Sequence, residues 1–209
     1  MRRDLKNIAV LISGGGTNLQ SLIDAIESGN INGKISIIIS NRKDAYGLTR
    51  GENHNIKSIY LSGIGISQEE YDEKLLEILE KEEVDLVVLA GFLKILGSKF
   101  IQAYENKIIN IHPSLIPSFC GDGFYGLKVH EKALEYGVKV SGATTHFVNE
   151  VADAGPIIMQ GCVEVLDNDT PEDLQKRILK IEHSILVESV KLFCDDKLEV
   201  IGRKVFRGE

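Results

Sequence analysis

Cysteine is scarce in this chain, and the three present, Cys120, Cys162 and Cys194, are odd in number, far apart and without a Cys-x-x-Cys pair. Neither a disulfide framework nor a thiolate metal site follows from them, and a reducing compartment, the cytoplasm, suits them. A basic excess is also missing: 24 Lys and Arg against 31 Asp and Glu leave a net charge of −7, with the cations scattered among the acids. Such a surface sets up no field for a phosphate backbone, which excludes nucleic acid as a partner. No window approaches the roughly 20 apolar residues of a membrane span. The start, MRRDLKNIAVLIS, is charged, but its apolar run is short and leads into a glycine turn rather than a cleavage site. No two histidines have the helical spacing and companion ligands of a zinc site, so no metal is expected. His54 lies in a polar stretch and reads as solvent-exposed.

What is present is enough apolar residue, 43% of 209, to bury a full core, and no repeat, low-complexity stretch or linker divides it. Residues 1–209 therefore read as one domain. Continuous apolar runs at Asn7 to Ile12, Ile35 to Ile39, Val84 to Ala90 and Lys107 to Ile111 have the character of strands buried on both faces of a parallel sheet. Helical spacing of apolar residues fills Asn18 to Ile26 and Tyr71 to Leu79 between them. This alternation predicts an α/β fold, a doubly wound and mostly parallel central sheet. After Pro117 two β-rich segments, Val138 to Val148 and Ile157 to Leu166, follow one another without a helix and predict antiparallel strands extending the sheet. A long C-terminal helix opens at Thr170-Pro171-Glu172-Asp173, with Thr170 as N-cap and Pro171 in the first turn, and is expected to run to about Leu192.

Two segments carry chemistry. The first strand ends in Ser13-Gly14-Gly15-Gly16-Thr17-Asn18-Leu19. Glycines let a backbone approach an anion, and free amides at a helix start donate to it, so this loop suits a phosphate. It lacks the third glycine and the ribose-binding acid of a dinucleotide site, and the Gly-Lys-Ser/Thr of a Walker loop, which favours a phosphate monoester. A plain strand-to-helix glycine turn is the competing reading. The fourth parallel strand leads into Asn110-Ile111-His112-Pro113, where residues two apart share a strand face, so an amide and an imidazole converge at the carboxyl end. Imidazole, with a pKa near 6.5, accepts and donates protons at neutral pH. A lone strand histidine is more often structural; its place beside an amide beyond a buried strand shifts the balance to catalysis.

SGGGTNLQ from Ser13, AGFLKILG at Ala90 to Gly97, NIHPSLIP at Asn110 to Pro117 and HFVNEVADAGPIIMQ at His146 to Gln160 occur in this order over nearly the whole chain. Together they resemble the phosphoribosylglycinamide formyltransferase family. NIHPSLIP is shared with other enzymes using 10-formyltetrahydrofolate, whereas the glycine loop picks out the ribonucleotide enzyme. The resemblance implies a Rossmann-like formyltransferase fold and transfer of a formyl group from 10-formyltetrahydrofolate to the glycine amine of phosphoribosylglycinamide. Small-molecule substrates are then the expected partners, and the chain a monomer or homodimer.

The same resemblance implies roles for single residues. Asn110, His112 and Asp153 form the catalytic group; on its own, Asp153 passes for an ordinary turn aspartate. Gly16, Thr17 and Asn18 hold the ribonucleotide phosphate, and Glu182 contacts the glycinamide end. Leu93, Lys94, Ile95 and Leu96, with Asn110, form the folate pocket, and Gln68 falls near the folate tail. Residues 1–105 become a phosphate-binding half and 106–209 a catalytic and folate-binding half. Three positions depart from the family's habit: Gln68 and Lys94 where arginine is common, and Leu179 where a polar contact occurs. An amide does not replace arginine's fork. Ser118 to Gly126 is longer and richer in glycine than expected, either a mobile loop over the site or a passive one. His130 and His146 either support the site or are structural. A deformylase or a transfer-RNA formyltransferase is the competing enzyme, and a noncatalytic nucleotide-binding protein the competing class.

Overall fold

The computed structural model describes residues 5–208. Its elements run β1 (Lys6–Ile12), α1 (Thr17–Glu27), β2 (Gly33–Ser40), α2 (Tyr46–Asn53), β3 (Ser58–Tyr60), α3 (Gln68–Lys81), β4 (Leu86–Leu89), α4 (Ser98–Ala103), β5 (Ile108–His112), α5 (Leu127–Tyr136), β6 (Val140–Phe147), β7 (Ile157–Glu164), α6 (Pro171–Cys194), β8 (Leu198–Ile201) and β9 (Lys204–Arg207). They build one sheet in the order β3-β2-β1-β4-β5-β6-β7-β9-β8. The first five strands pair in parallel, and β6 and β7 follow antiparallel, as the absence of a helix between them predicts.

The apolar strands are covered on both faces. On β1, Ile8, Val10 and Ile12 point into a core closed by Leu19, Leu22 and Ile23 of α1 and by Leu174, Ile178 and Leu186 of α6. Ala9 and Leu11 point the other way, into Tyr71, Leu75 and Leu79 of α3 and Phe100 of α4. This is the alternation of a strand, and it explains why the runs are unbroken. Thr170 caps α6 in a reciprocal box with Asp173, and Ser67 does the same for α3 with Glu70.

Several elements depart from the expectations. The strand bearing Asn110 is the fifth in chain order, because β3, only three residues long, precedes it. α2 contains Gly47 and Gly51 and little apolar residue, so its period is weak, yet both glycines are buried. A β8–β9 hairpin closes the sheet after α6, which itself continues to Cys194. His54, read as solvent-exposed, is half-buried, with Nδ1 2.7 Å from Glu27 and Nε2 3.2 Å from Gln20.

The chain leaves β1 toward β2 on one side and reaches β4 on the other. At such a reversal the connecting helices diverge and leave a crevice beyond the carboxyl ends of the strands. The loops after β1, β4 and β5 all open there.

Candidate active site

The loop after β1 is held from behind. Gly16 is left-handed, with φ 70°, and no side chain caps α1. The first amides of that helix therefore keep their hydrogens for an outside acceptor. Gly47 N donates to the Gly14 carbonyl at 3.0 Å, and Arg50 donates from Nε to Gly15 O at 2.8 Å. A Cβ on Gly16 would stand 2.8 Å from Gly47 Cα, so the loop and α2 approach more closely than side chains permit. Asn18 turns inward and donates from Nδ2 to Glu182 Oε2 at 2.8 Å across 164 residues of chain. Burial pushes the Glu182 carboxyl above its ordinary value, opposed by that hydrogen bond.

A second cluster forms at the end of β5. Asn110 Nδ2 lies 3.1 Å from His146 Nε2 and 3.4 Å from Asp153 Oδ1. His146 Nδ1 is 2.9 Å from the Phe147 carbonyl, which can only accept. Nδ1 of His146 therefore donates to that carbonyl, and Nε2 faces Asn110 and, at 3.6 Å, Asp153 Oδ1. His112 differs. Its Nε2 donates to the Phe119 carbonyl at 2.9 Å while Nδ1 lies 3.4 Å from Asp153 Oδ2, so acceptors face both ring nitrogens. Burial holds His112 below the ordinary imidazole value, against the pull of Asp153 and the Phe119 carbonyl. Burial alone would raise Asp153, but His146, the charge of His112 and the Gly121 amide hold it below the usual carboxylate range. The ring is neutral at rest, and a proton reaching it finds two acceptors.

Asp153 occupies this position in a left-handed conformation, φ 52°. Two residues on, Gly155 lets the turn pack against the end of β6, since a Cβ there would fall 1.7 Å from Phe147 O. The segment from Ser118 to Gly126 is fastened over the cluster by two bonds, Phe119 O to His112 and Gly121 N to Asp153 Oδ2 at 2.9 Å.

Two cavities flank β5. The smaller, about 390 Å³, is walled by Gly14 to Asn18, by Ile111, Pro113 and His130, and by Glu182. The larger, about 700 Å³, is walled by Leu93 to Leu96, Asn110, Tyr125, His146 and Val151 to Asp153. Asn110 and Asp153 line the larger, Ile111 and Pro113 the smaller; His112 is buried, lines neither, and adjoins the larger through Asp153. Both cavities draw walls from each side of residue 105.

Most expected residues are thus brought together: Gly16, Thr17, Asn18 and Glu182 in one cavity, Leu93, Lys94, Ile95, Leu96, Asn110 and Asp153 in the other, with His112 buried against Asp153 and lining neither. Gln68 is not part of either wall; its amide donates to Asp72 at 2.7 Å. Leu179 lines the smaller cavity. Lys94 rests its ammonium 4.6 Å from the centre of the Tyr71 ring. Sequence reasoning missed Arg50, Ser13 and Asp72. Ser13 Oγ donates to Asn41 at 2.6 Å and accepts from Leu93 N at 2.8 Å, joining the phosphate loop to the segment after β4. Asp72 accepts from Gly97 N at 2.8 Å at that segment's far end. Each acts across the fold, and no local pattern marks it.

Residues 6–190 match the formyl transferase family. The chain is 42% identical over 197 residues to phosphoribosylglycinamide formyltransferase of Haemophilus influenzae, covering 94% of this chain and 91% of that protein. It is 40% identical over 200 residues to the chloroplastic phosphoribosylglycinamide formyltransferase of Arabidopsis thaliana, covering 93% of this chain and 67% of that longer protein. Among solved structures, glycinamide ribonucleotide transformylase 1 of Symbiobacterium toebii superposes with a TM-score of 0.93 at 42% identity, over 99% of this chain and 95% of that one.

Proposed function

As this chain belongs to the formyl transferase family, we propose that it moves the formyl group of 10-formyltetrahydrofolate onto the glycine amine of phosphoribosylglycinamide, a step of purine biosynthesis. The observation that carries the reading is the cluster of His112, Asn110 and Asp153 at the end of β5, where Asn110 and Asp153 line the larger cavity and the adjoining Ile111 and Pro113 line the one built on the phosphate loop. The glycine loop and the start of α1 take the ribonucleotide phosphate, through Gly16, Thr17 and Asn18. Glu182, turned inward by Asn18, meets the glycinamide end. Leu93 to Leu96 and Asn110 enclose the pterin, backbone groups reading its edge and apolar side chains its faces.

The chemistry is direct acyl transfer. The amine attacks the formyl carbon, its carbonyl oxygen becomes an oxyanion, and collapse breaks the bond to the folate nitrogen, which takes a proton. Asn110 and His112 are the donors that stabilise the oxyanion, His112 as the imidazolium formed when a proton reaches it, with its Nε2 hydrogen turning from the Phe119 carbonyl to the oxyanion. Both amide hydrogens of Asn110 are engaged in this structure, and the 3.4 Å contact to Asp153 is the weaker one that an oxyanion replaces. Asp153 balances the imidazolium and, directly or through water, moves the proton from the attacking amine toward the leaving nitrogen. Gln68 is left as a neighbour of the folate tail, too far engaged with Asp72 to hold a carboxylate.

The expected state is a monomer or a homodimer. No helix among the described residues is long and apolar enough to cross a membrane. We place the enzyme in the cytoplasm; its free Cys120, Cys162 and Cys194 support a reducing compartment.

The test is formyl transfer from 10-formyltetrahydrofolate with phosphoribosylglycinamide present, and a parallel reaction without it. Transfer that depends on the ribonucleotide is expected. Hydrolysis of the formyl folate in both reactions would make the enzyme a deformylase, and silence in both would make the chain a binding protein.

A further inference from the structure

His130 stands in the first turn of α5 and is 1% exposed, yet its Nδ1 has no hydrogen-bond partner among the described residues. Its ring nevertheless lines the smaller cavity, beside Pro113 and facing the glycine loop and Glu182. A second orphan lines the same cavity: Asn18 Oδ1, also buried and unpaired, because only the amide nitrogen of Asn18 is used on Glu182. Buried polar atoms are nearly always satisfied, since leaving them unpaired forfeits most of their hydration without replacement. Two of the five such atoms among the described residues thus belong to side chains that line this one cavity, where a bound ligand can supply partners.

The kind of group is narrowed by charge. Burial, and the nearby His112, push His130 down to about 4, so at neutral pH it is an uncharged imidazole with one donor and one acceptor. It has no charge to offer a phosphate, and the glycine loop and the start of α1 already serve that end. An uncharged polar group is the natural complement.

We propose that His130 is a specificity-determining residue for the ribonucleotide, its ring hydrogen-bonding an uncharged group of that substrate, a ribose hydroxyl or the glycinamide amide, between the phosphate loop and His112. This rests on the substrate reading above and adds to it a residue with no part in the chemistry. A hydrogen bond here holds the amine's carrier at a fixed depth, so that His112 and the formyl carbon meet it in line.

Calorimetric binding of phosphoribosylglycinamide, with tetrahydrofolate as control ligand, tests it on the wild-type protein, His130→Leu and His130→Gln. The leucine variant is expected to bind the ribonucleotide about five- to tenfold more weakly, as losing one neutral hydrogen bond predicts, and glutamine to recover most of that. Tetrahydrofolate binding should stay within about twofold in both, since the two ligands do not share this side chain. Repeating the titrations with the 2′-deoxyribose analogue separates the partners: a leucine penalty that vanishes names the hydroxyl, and one that persists names another uncharged group such as the amide. His130→Phe, which keeps a flat ring without nitrogen, serves where leucine does not fold. A folded variant that binds the ribonucleotide as the wild type does, or one that loses both ligands alike, overturns the proposal. A wild-type protein that fails to bind the ribonucleotide overturns the substrate reading itself.

Discussion

The two cavities on either side of β5 are built by opposite means. The smaller is made of main chain and buried side chains: Asn18, His130 and Glu182 are each at most 8% exposed. The larger leaves apolar side chains in the open, Leu93 at 55%, Ile95 at 75% and Val151 at 64% exposed, and is walled also by Gly121 and Gly123, both with positive φ. The difference follows from what each must bind. A phosphate is small, charged and recognised by amides that have to be in place beforehand, whereas a flat heterocycle with a long tail is covered by apolar surfaces that stay exposed until it arrives. The second kind of wall is free to adapt between its supports, and here there are two: Ser13 Oγ holds Leu93, and Asp72 holds Gly97.

If the cavities are separate binding devices served by one catalytic group, substitutions should sort by site. The largest effect belongs to the junction. His112→Ala should lower kcat about a thousandfold, with both KM values changed little and folded stability largely kept. Near-normal turnover by the folded variant, measured under saturating substrates, would remove His112 from the chemistry. Next comes the rigid wall. Gly16→Ala places a side chain at φ 70° and 2.8 Å from Gly47 Cα, so the loop has to shift. Ribonucleotide binding should weaken by at least about tenfold, given the strain of a left-handed alanine, while folate binding changes far less. Milder losses in the same sense are expected of Thr17→Val and Asn18→Ala. Equal losses for the two ligands would break the separation.

How much of this could be read beforehand depended on whether a residue's partner is near it in sequence. Gly14 to Asn18 were legible because a glycine run after a buried strand has few uses, and Asn110 with His112 because the strand period puts them on one face. Asp153 was legible only through resemblance, since a turn aspartate by itself has no distinguishing mark. Glu182 looked like one more charge on a long helix; α6 packs it against Asn18, 164 residues away. His146 was undecided until its ring nitrogens could be assigned to Phe147 and Asn110. α2 was invisible because Gly47 and Gly51 weaken its pattern, for reasons that lie outside the helix: a Cβ on Gly51 would fall 2.1 Å from Ser58 Oγ. The parallel sheet was legible for the opposite reason, each strand declaring its two-sided burial within a few residues.

The adaptable wall gives the next prediction. Asp72 is 2% exposed and uses both carboxylate oxygens, one on Gly97 N and one on Gln68. Asp72→Ala leaves the Gly97 amide unpaired and should cost about 1–3 kcal/mol of stability, read as a lower denaturant midpoint. It should also raise the folate KM several-fold by loosening Leu93 to Leu96, with the ribonucleotide KM unaffected. A variant that loses stability while both KM values hold would mean that the segment keeps its shape without this support.

The smallest expected effect separates the cavities by acid. Burial holds His130 in the smaller cavity at about 4, against about 6.5 for a free imidazole. Between those values the unfolded chain binds a proton that the folded one refuses, so stability falls as pH drops across that window. His112 and His183, both lowered by burial, act in the same sense. Asp153, held low, adds a loss only at still lower pH, as its folded form is finally protonated. Glu182 opposes them: raised by burial, it favours the folded state in acid and gives that advantage up as pH rises through its folded value. Denaturant midpoints at pH 7 and pH 5 for the wild type and His130→Gln should therefore differ, the variant being spared up to about 2 kcal/mol of the acid loss. Equal losses in the two proteins would mean that His130 takes up its proton in the folded state as readily as in the unfolded one, and that water reaches its ring despite its 1% exposure.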